Sequence, residues 1–261
     1  MKTVQSFTIA KYTSTRTKSA DMHTLCASGL SKRYDGRLVI NDIHLEVRSG
    51  EIVGLLGPNG AGKTTTFYMI TGMLASESGN IELDGEDIAR LPMYQRALRG
   101  ISYLPQEPSI FRKLTVRENL RVVLEIRGLP ESEIEERIER MIDEFELGAF
   151  ADRDSTRLSG GERRRAEIAR SIAMEPKFIL FDEPFAGIDP ITVIELKKML
   201  NYLKGKGLGI LITDHNVRDT LSITDRAYIL SEGRILDEGE PERLIANPRV
   251  KEVYLGEEFR L

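Results

Sequence analysis

The chain of 261 residues holds one cysteine, Cys26, no tryptophan, and three histidines, His23, His44 and His215. A single thiol excludes a disulfide framework. One Cys and three dispersed His also argue against a structural zinc site. Sparse cysteine fits a reducing, intracellular compartment. Long apolar runs are missing too. The longest are Ile52-Val53 with Leu55-Leu56, Phe178 to Phe181 and Ile210 to Ile212, far short of the ~20 residues that span a bilayer. Work at a membrane would therefore need a partner to bring the chain there. There is no excess of positive charge: 37 Lys and Arg stand against 41 Asp and Glu, a net of −4. Electrostatics gives no reason to expect a nucleic-acid binder.

Apolar residues at 41% and charged residues at 30% are those of a soluble globular protein. The length allows one large domain or two small ones and a core that needs no covalent staple. Residues 1–21 stand apart, with eight Ser/Thr, four basic residues and one acid, Asp21. They lack an apolar h-region, which speaks against a secretory signal. They read as a flexible extension, or as a start placed ahead of Met22, with a transit peptide as the second reading. Residues 22–261 read as a single domain.

Within it, Ile43, Leu45 and Val47 alternate with His44, Glu46 and Arg48, the pattern of a half-buried strand. Ile52–Leu56 is a short buried strand, and Thr64–Leu74 reads as a helix. Further strands are expected at Asn80–Leu83, Ile101–Leu104, Phe178–Asp182, Gly209–Thr213 and Ala227–Ser231. Ile134, Ile138, Met141, Ile142 and Phe145 recur at helical spacing, and helices are expected at Glu162–Met174 and Thr192–Leu203. The stretch 107–177 is nearly strand-free. The expectation is an α/β fold: a mostly parallel sheet from 22–106 and 178–261, interrupted by a helical insert over 107–177.

Gly57-Pro58-Asn59-Gly60-Ala61-Gly62-Lys63-Thr64 fits G-x-x-x-x-G-K-[ST] at every fixed position, with a strand before it and a helix, beginning Thr64-Thr65, after it. The glycines let backbone N–H groups curl around phosphate oxygens, and the helix N-terminus adds partial positive charge. Lys63 reaches the β- and γ-phosphates in such a loop, and Thr64 ligates Mg²⁺. A nucleoside triphosphate with Mg²⁺ is the ligand this pattern predicts.

The strand Phe178–Phe181 ends in Asp182-Glu183. Acids at the C-terminal end of a parallel strand face the ligand crevice. Asp182 is placed to hold Mg²⁺, and Glu183 is the candidate general base for the attacking water. Leu158-Ser159-Gly160-Gly161-Glu162 opens a helix, with Ser159 as a plausible N-cap. Its glycines leave amides bare for an anion, although Ser-Gly-Gly alone is often only a cap.

The phosphate loop, Leu158–Glu162 and Phe178–Glu183, in this order, resemble the ATP-binding subunit of an ABC transporter. The likeness covers residues 24 to about 240. It implies a P-loop NTPase core of the RecA-like kind, an antiparallel β subdomain and an inserted α-helical subdomain. By position it assigns Tyr34 to stacking on adenine, Gln106 to a loop that senses Mg²⁺ and water, and His215 to the γ-phosphate. Asp189, in Gly187-Ile188-Asp189-Pro190, becomes the aspartate of the loop between subunits. The resemblance also implies a head-to-tail homodimer, in which Ser159, Gly160 and Gly161 of one copy close over ATP held by Lys63 of the other. Two departures stand out. Glu162 takes a place where glutamine is commoner and should turn away from phosphate, and Phe185–Asp189 replaces the commoner Ser-Ala-Leu-Asp.

Leu104 to Arg112, Leu158 to Arg165, Pro184 to Pro190, Leu211 to Val217, and the ending Val253-Tyr254-Leu255-Gly256-Glu257-Glu258-Phe259-Arg260-Leu261 narrow the likeness to the lipopolysaccharide-export subfamily. That implies two transmembrane permease subunits as partners, with the chain peripheral on the cytoplasmic face of the inner membrane. Phe111 and Arg112 would anchor the partner's helix, or Phe111 could simply pack the insert. Arg163–Arg165 reads as a solvated helix face or as a contact to partner or nucleotide. Rival readings are a branched-chain amino-acid importer subunit, a soluble ABC protein, and a non-catalytic nucleotide-binding regulator.

Overall fold

The computed structural model describes residues 22–259; the extension 1–21 and the terminal Arg260 and Leu261 lie outside it. The described chain forms two compact units. His23–Glu107, Glu175–Ala186 and residues 203–259 make a sheet-bearing unit, and Pro108–Met174 with Gly187–Tyr202 makes a helical one.

The sheet-bearing unit holds two sheets. In the first, β1 (Thr24–Tyr34) pairs antiparallel with β2 (Arg37–Arg48) and with β4 (Ser78–Leu83), which pairs in turn with β5 (Glu86–Asp87). The second adds β3 (Ile52–Leu56), β6 (Ile101–Leu104), β7 (Phe178–Asp182), β8 (Gly209–Thr213), β9 (Arg226–Ser231) and β10 (Arg234–Gly239), in the order β10-β9-β3-β8-β7-β6. Its pairings are parallel, except for the antiparallel hairpin of β9 and β10. The continuous apolar runs explain the centre: β3, β7 and β8 are buried at every residue.

Helix α1 (Lys63–Thr71) follows β3, and α2 (Met93–Arg99) precedes β6. Phe67, Met69 and Ile70 of α1 join Val53, Leu55, Leu180 and Leu211 in one core, which the first sheet closes with Leu30, Ile43 and Ile81. Arg96 is buried in this unit. Its guanidinium donates to the carbonyls of Met69 and Ile70 at 2.7 Å each, and to those of Ala89 and Leu91. The open C-terminus of α1 is thereby satisfied. A second cluster joins Leu56, Leu221, Ile229, Leu244 and Val250 with Tyr254, Leu255 and Phe259 from the end of the chain.

The helical unit contains α3 (Val116–Ile126), α4 (Glu131–Glu144) and α5 (Gly160–Ala173). A capping box of Thr115 and Glu118 starts α3, and α3 packs on α4 and α5. Ile134, Ile138, Met141 and Ile142 are the buried stripe of α4, as their spacing predicts. The helix α6 spans Pro190–Gly205.

Candidate nucleotide site

The loop between β3 and α1 is shaped by its glycines. Gly57, Gly60 and Gly62 have φ of 150°, 77° and 108°. A Cβ on Gly57 would meet the Leu230 carbonyl oxygen at 2.0 Å, and one on Gly62 would meet Ile40 Cδ1 at 2.3 Å. Only glycine fits at these two positions. Lys63 is buried, and its Nζ donates to the carbonyls of Gly57 and Pro58 at 2.8 and 3.1 Å. Burial pulls its ammonium below the ordinary value, against the attraction of Glu183 and Asp182. Thr64 follows on the exposed side, at the first turn of α1. The hydroxyl of Tyr254, near the chain's end, takes a hydrogen bond from the Gly57 backbone. Burial pushes it up to about 12, against that bond. No sequence motif pointed to Tyr254 as a neighbour of the loop.

The acids sit at the ends of β7 and β8. Asp182 is the last residue of β7 and is buried. Glu183 follows with φ 48°, a left-handed conformation that costs a glutamate of order 1 kcal/mol, and its N–H donates to the Thr213 carbonyl at 2.7 Å. This turn carries its carboxylate to His215, whose Nε2 lies 2.7 Å from Oε1. Burial raises both carboxyls above their usual range. It outweighs the Tyr103 hydrogen bond and Lys63 at Asp182, and His215 at Glu183. Asp214 is also buried and raised by burial; it accepts from the N–H groups of Phe185 and Asn216 at 2.7 and 2.8 Å. It is a residue that sequence reasoning missed, and it locks the two strand-end loops together.

Two buried oxygens in this group, Glu183 Oε2 and Thr213 Oγ1, have no hydrogen-bond partner. Buried polar atoms are almost always satisfied, so these two fit a site completed by a polar ligand. Among the described residues no cluster of three His, Cys, Asp or Glu could hold a metal alone. One carboxylate and a hydroxyl suit Mg²⁺ that arrives with phosphates, because that ion keeps several waters and uses few protein ligands. Asp182 and Thr64 are such donors. Gln106 is exposed in the bend after β6, and Tyr34 is half-exposed at the end of β1 with Lys32 over its ring at 5.9 Å. Neither bonds to the acids among the described contacts.

In the helical unit, Ser159 caps α5. Its side chain accepts from the Glu162 N–H at 3.3 Å, and the Glu162 carboxylate accepts from the Ser159 N–H at 2.8 Å. Arg153 adds a contact at 3.0 Å. Glu162 thus folds back into a capping box, and its pKa falls: burial opposes this, but the bonds from Ser159 and Arg153 prevail. The N–H groups of Gly160 and Gly161 are left unused by the cap. Asp189 opens α6, where its oxygens accept from the N–H groups of Ile191 and Thr192 and from the Thr192 hydroxyl at 2.6 Å. The expectation of a solvated face at Arg163–Arg165 holds poorly. Arg164 is buried and pairs with Glu167 at 3.4 Å, while Arg165 pairs with Glu195 at 3.0 Å.

The Phe111 loop is held from behind. Glu167 accepts from the N–H groups of Ser109 and Ile110, and Asn119 bonds both the N–H and the carbonyl of Phe111. Phe111 itself stays 45% exposed, with the Arg170 guanidinium 4.8 Å from its ring centre, and Arg112 is exposed. Phe111 is therefore not a core residue of the insert.

Comparison with known proteins gives the same picture. The ABC transporter family profile matches residues 40–186. The lipopolysaccharide export system ATP-binding protein LptB of Escherichia coli K12 is 55% identical over 241 residues, covering 92% of this chain and all of that protein. LptB of Haemophilus influenzae is 56% identical with the same coverage. Among solved structures, the ADP conformation of MJ1267, an ATP-binding cassette of an ABC transporter, superposes with a TM-score of 0.81 at 28% identity. That match covers 91% of this chain and all of the other. The profile and the full-length relatives agree with the phosphate loop and its facing acids: the chain belongs to the ABC transporter family, as an ATP-binding and ATP-hydrolysing subunit.

Proposed function

We propose that the chain is the ATPase of a lipopolysaccharide exporter. Two copies would sandwich ATP and drive two transmembrane permease subunits from the cytoplasmic face of the inner membrane. The observation that carries the transport reading is the likeness to LptB proteins along their whole length, at 55% identity. No helix among the described residues is long and apolar enough to cross a membrane, in keeping with contact through partners.

In this reading the amides of Gly57 to Thr65, through Pro58, Asn59, Gly60, Ala61 and Gly62, and the Lys63 ammonium bind the phosphates. Lys63 exchanges its two carbonyl partners for phosphate oxygens. Tyr34 stacks on the base. Thr64, Asp182 and Gln106 hold Mg²⁺, which when bound offsets the charge on the β- and γ-phosphates. Glu183 takes the proton of the attacking water at its open Oε2, while His215 fixes the other oxygen and meets the γ-phosphate. Ser159, Gly160 and Gly161 of the second copy present a helix N-terminus to the same phosphates, and Asp189 lies on the route between copies. Phe111 and Arg112 receive the permease.

The test is a tagged pull-down from detergent-solubilised native membranes, with bound proteins identified by mass spectrometry. Two transmembrane proteins with periplasmic β-domains are expected. Recovery of amino-acid importer subunits, or of no membrane protein, would overturn the transport reading and leave the ATPase standing.

A further inference from the structure

Tyr103 lies on β6, opposite Leu180 of β7, three residues before Gln106. Its hydroxyl donates to Asp182 Oδ2 at 3.1 Å. No phosphate-loop or strand-end motif includes it. We propose that Tyr103 is a positioning residue for the Asp182 carboxylate: it occupies Oδ2 and so fixes the direction in which Oδ1 is offered to the cation of the bound nucleotide. The inference rests on the reading of Asp182 as the carboxylate that holds Mg²⁺.

Three features support the role. Asp182 is buried and has no cation within hydrogen-bond distance among its described contacts, so Tyr103 is its side-chain donor. A carboxylate on a buried strand end that lost this donor would be free to turn. The phenolic hydroxyl has a proton to give, where an ionised carboxylate can only accept, so the pairing suits donation to Asp182. Finally, the ring itself is held. Tyr68 of α1 meets it edge-on, with ring centres 6.3 Å apart at 85°, and the two hydroxyls interact. Tyr68 sits on the helix that begins with Lys63 and Thr64. The phosphate-loop helix, the Gln106 strand and the metal carboxylate are thus tied at one point.

The test compares ATP affinity by calorimetry in EDTA and across a Mg²⁺ titration, for the wild-type chain, Tyr103→Phe and Asp182→Asn. Tyr103→Phe keeps the ring and removes one hydroxyl, and its melting temperature checks the fold. The expected result is unchanged affinity in EDTA and about a tenfold rise in the Mg²⁺ concentration at half-saturation, the scale of one hydrogen bond to a charged group. Tyr68→Phe should give a smaller rise in the same direction. An unaltered Mg²⁺ titration in Tyr103→Phe would overturn the proposal, as would a loss of equal size in EDTA. If Asp182→Asn keeps the full Mg²⁺ response, the reading of Asp182 itself falls, and the role of Tyr103 falls with it.

Discussion

His215 Nε2 lies 2.7 Å from Glu183 Oε1, while Glu183 Oε2 is buried without a partner. One oxygen of the carboxylate is held and the other is open. That is the arrangement a base needs if its position is to be fixed while it accepts a proton from water. Glu183→Gln keeps the shape and removes the basicity. Turnover should fall on the order of 10²–10⁴-fold while ATP binding persists and a nucleotide-bound dimer accumulates. Steady-state ATPase assays and size-exclusion chromatography with ATP read both. Ordinary turnover in this variant would remove Glu183 from the role of base.

Burial raises the Asp182 carboxyl in the folded chain. The folded state then holds that proton more tightly than the unfolded one, so its contribution to stability is complete at low pH and is lost as pH climbs through the raised value. Asp182→Asn does not titrate. In EDTA without nucleotide, the variant should gain in melting temperature relative to wild type as pH rises from about 4 to 8. A gap that stays constant, or that narrows with pH, would contradict the burial account.

The two glycines Gly57 and Gly60 both have positive φ, but only Gly57 faces a backbone oxygen at 2.0 Å from its imagined Cβ; Gly60 has nothing within 4 Å. Gly60→Ala should cost about 1 kcal/mol, from backbone strain alone, and Gly57→Ala at least ~2 kcal/mol more, since Leu230 of β9 must move. Urea melts of the two variants check the order.

Phe111 is exposed on a loop pinned by Glu167 and Asn119. Truncating it should leave the fold and ATP affinity intact and weaken capture of the membrane partner, with a loss of about 2 kcal/mol or more if it is an interface anchor. Copurification of Phe111→Ala with undiminished partner would place the docking surface elsewhere.

The buried strands β3, β7 and β8 and the half-buried β6 were legible because each is a short, mainly apolar run bounded by turn residues, and their limits agree with the sequence reading. The phosphate loop was legible because its glycines are required by close backbone approach, which leaves a fixed pattern. β1 was not. Its run Ala27-Ser28-Gly29 breaks the alternation, and the structure answers with register shifts against both neighbours. β10 and α2 were missed for want of an apolar run or a side-chain cap. Asp214, Tyr103 and Tyr254 escaped because their roles come from tertiary contact: they lie in segments that carry the family likeness, but nothing in those segments says which atoms these three side chains meet. Arg164 and Arg165 misled for a related reason, since three consecutive arginines say nothing about Glu167 and Glu195 beside them.

On this reading, ATP hydrolysis at the Glu183 site moves lipopolysaccharide. The direct measurement is release of lipopolysaccharide from proteoliposomes that contain the chain and its captured membrane partners, with and without ATP. ATP-dependent release that disappears with Glu183→Gln is the predicted result. ATP turnover with no lipopolysaccharide released would rule out that coupling.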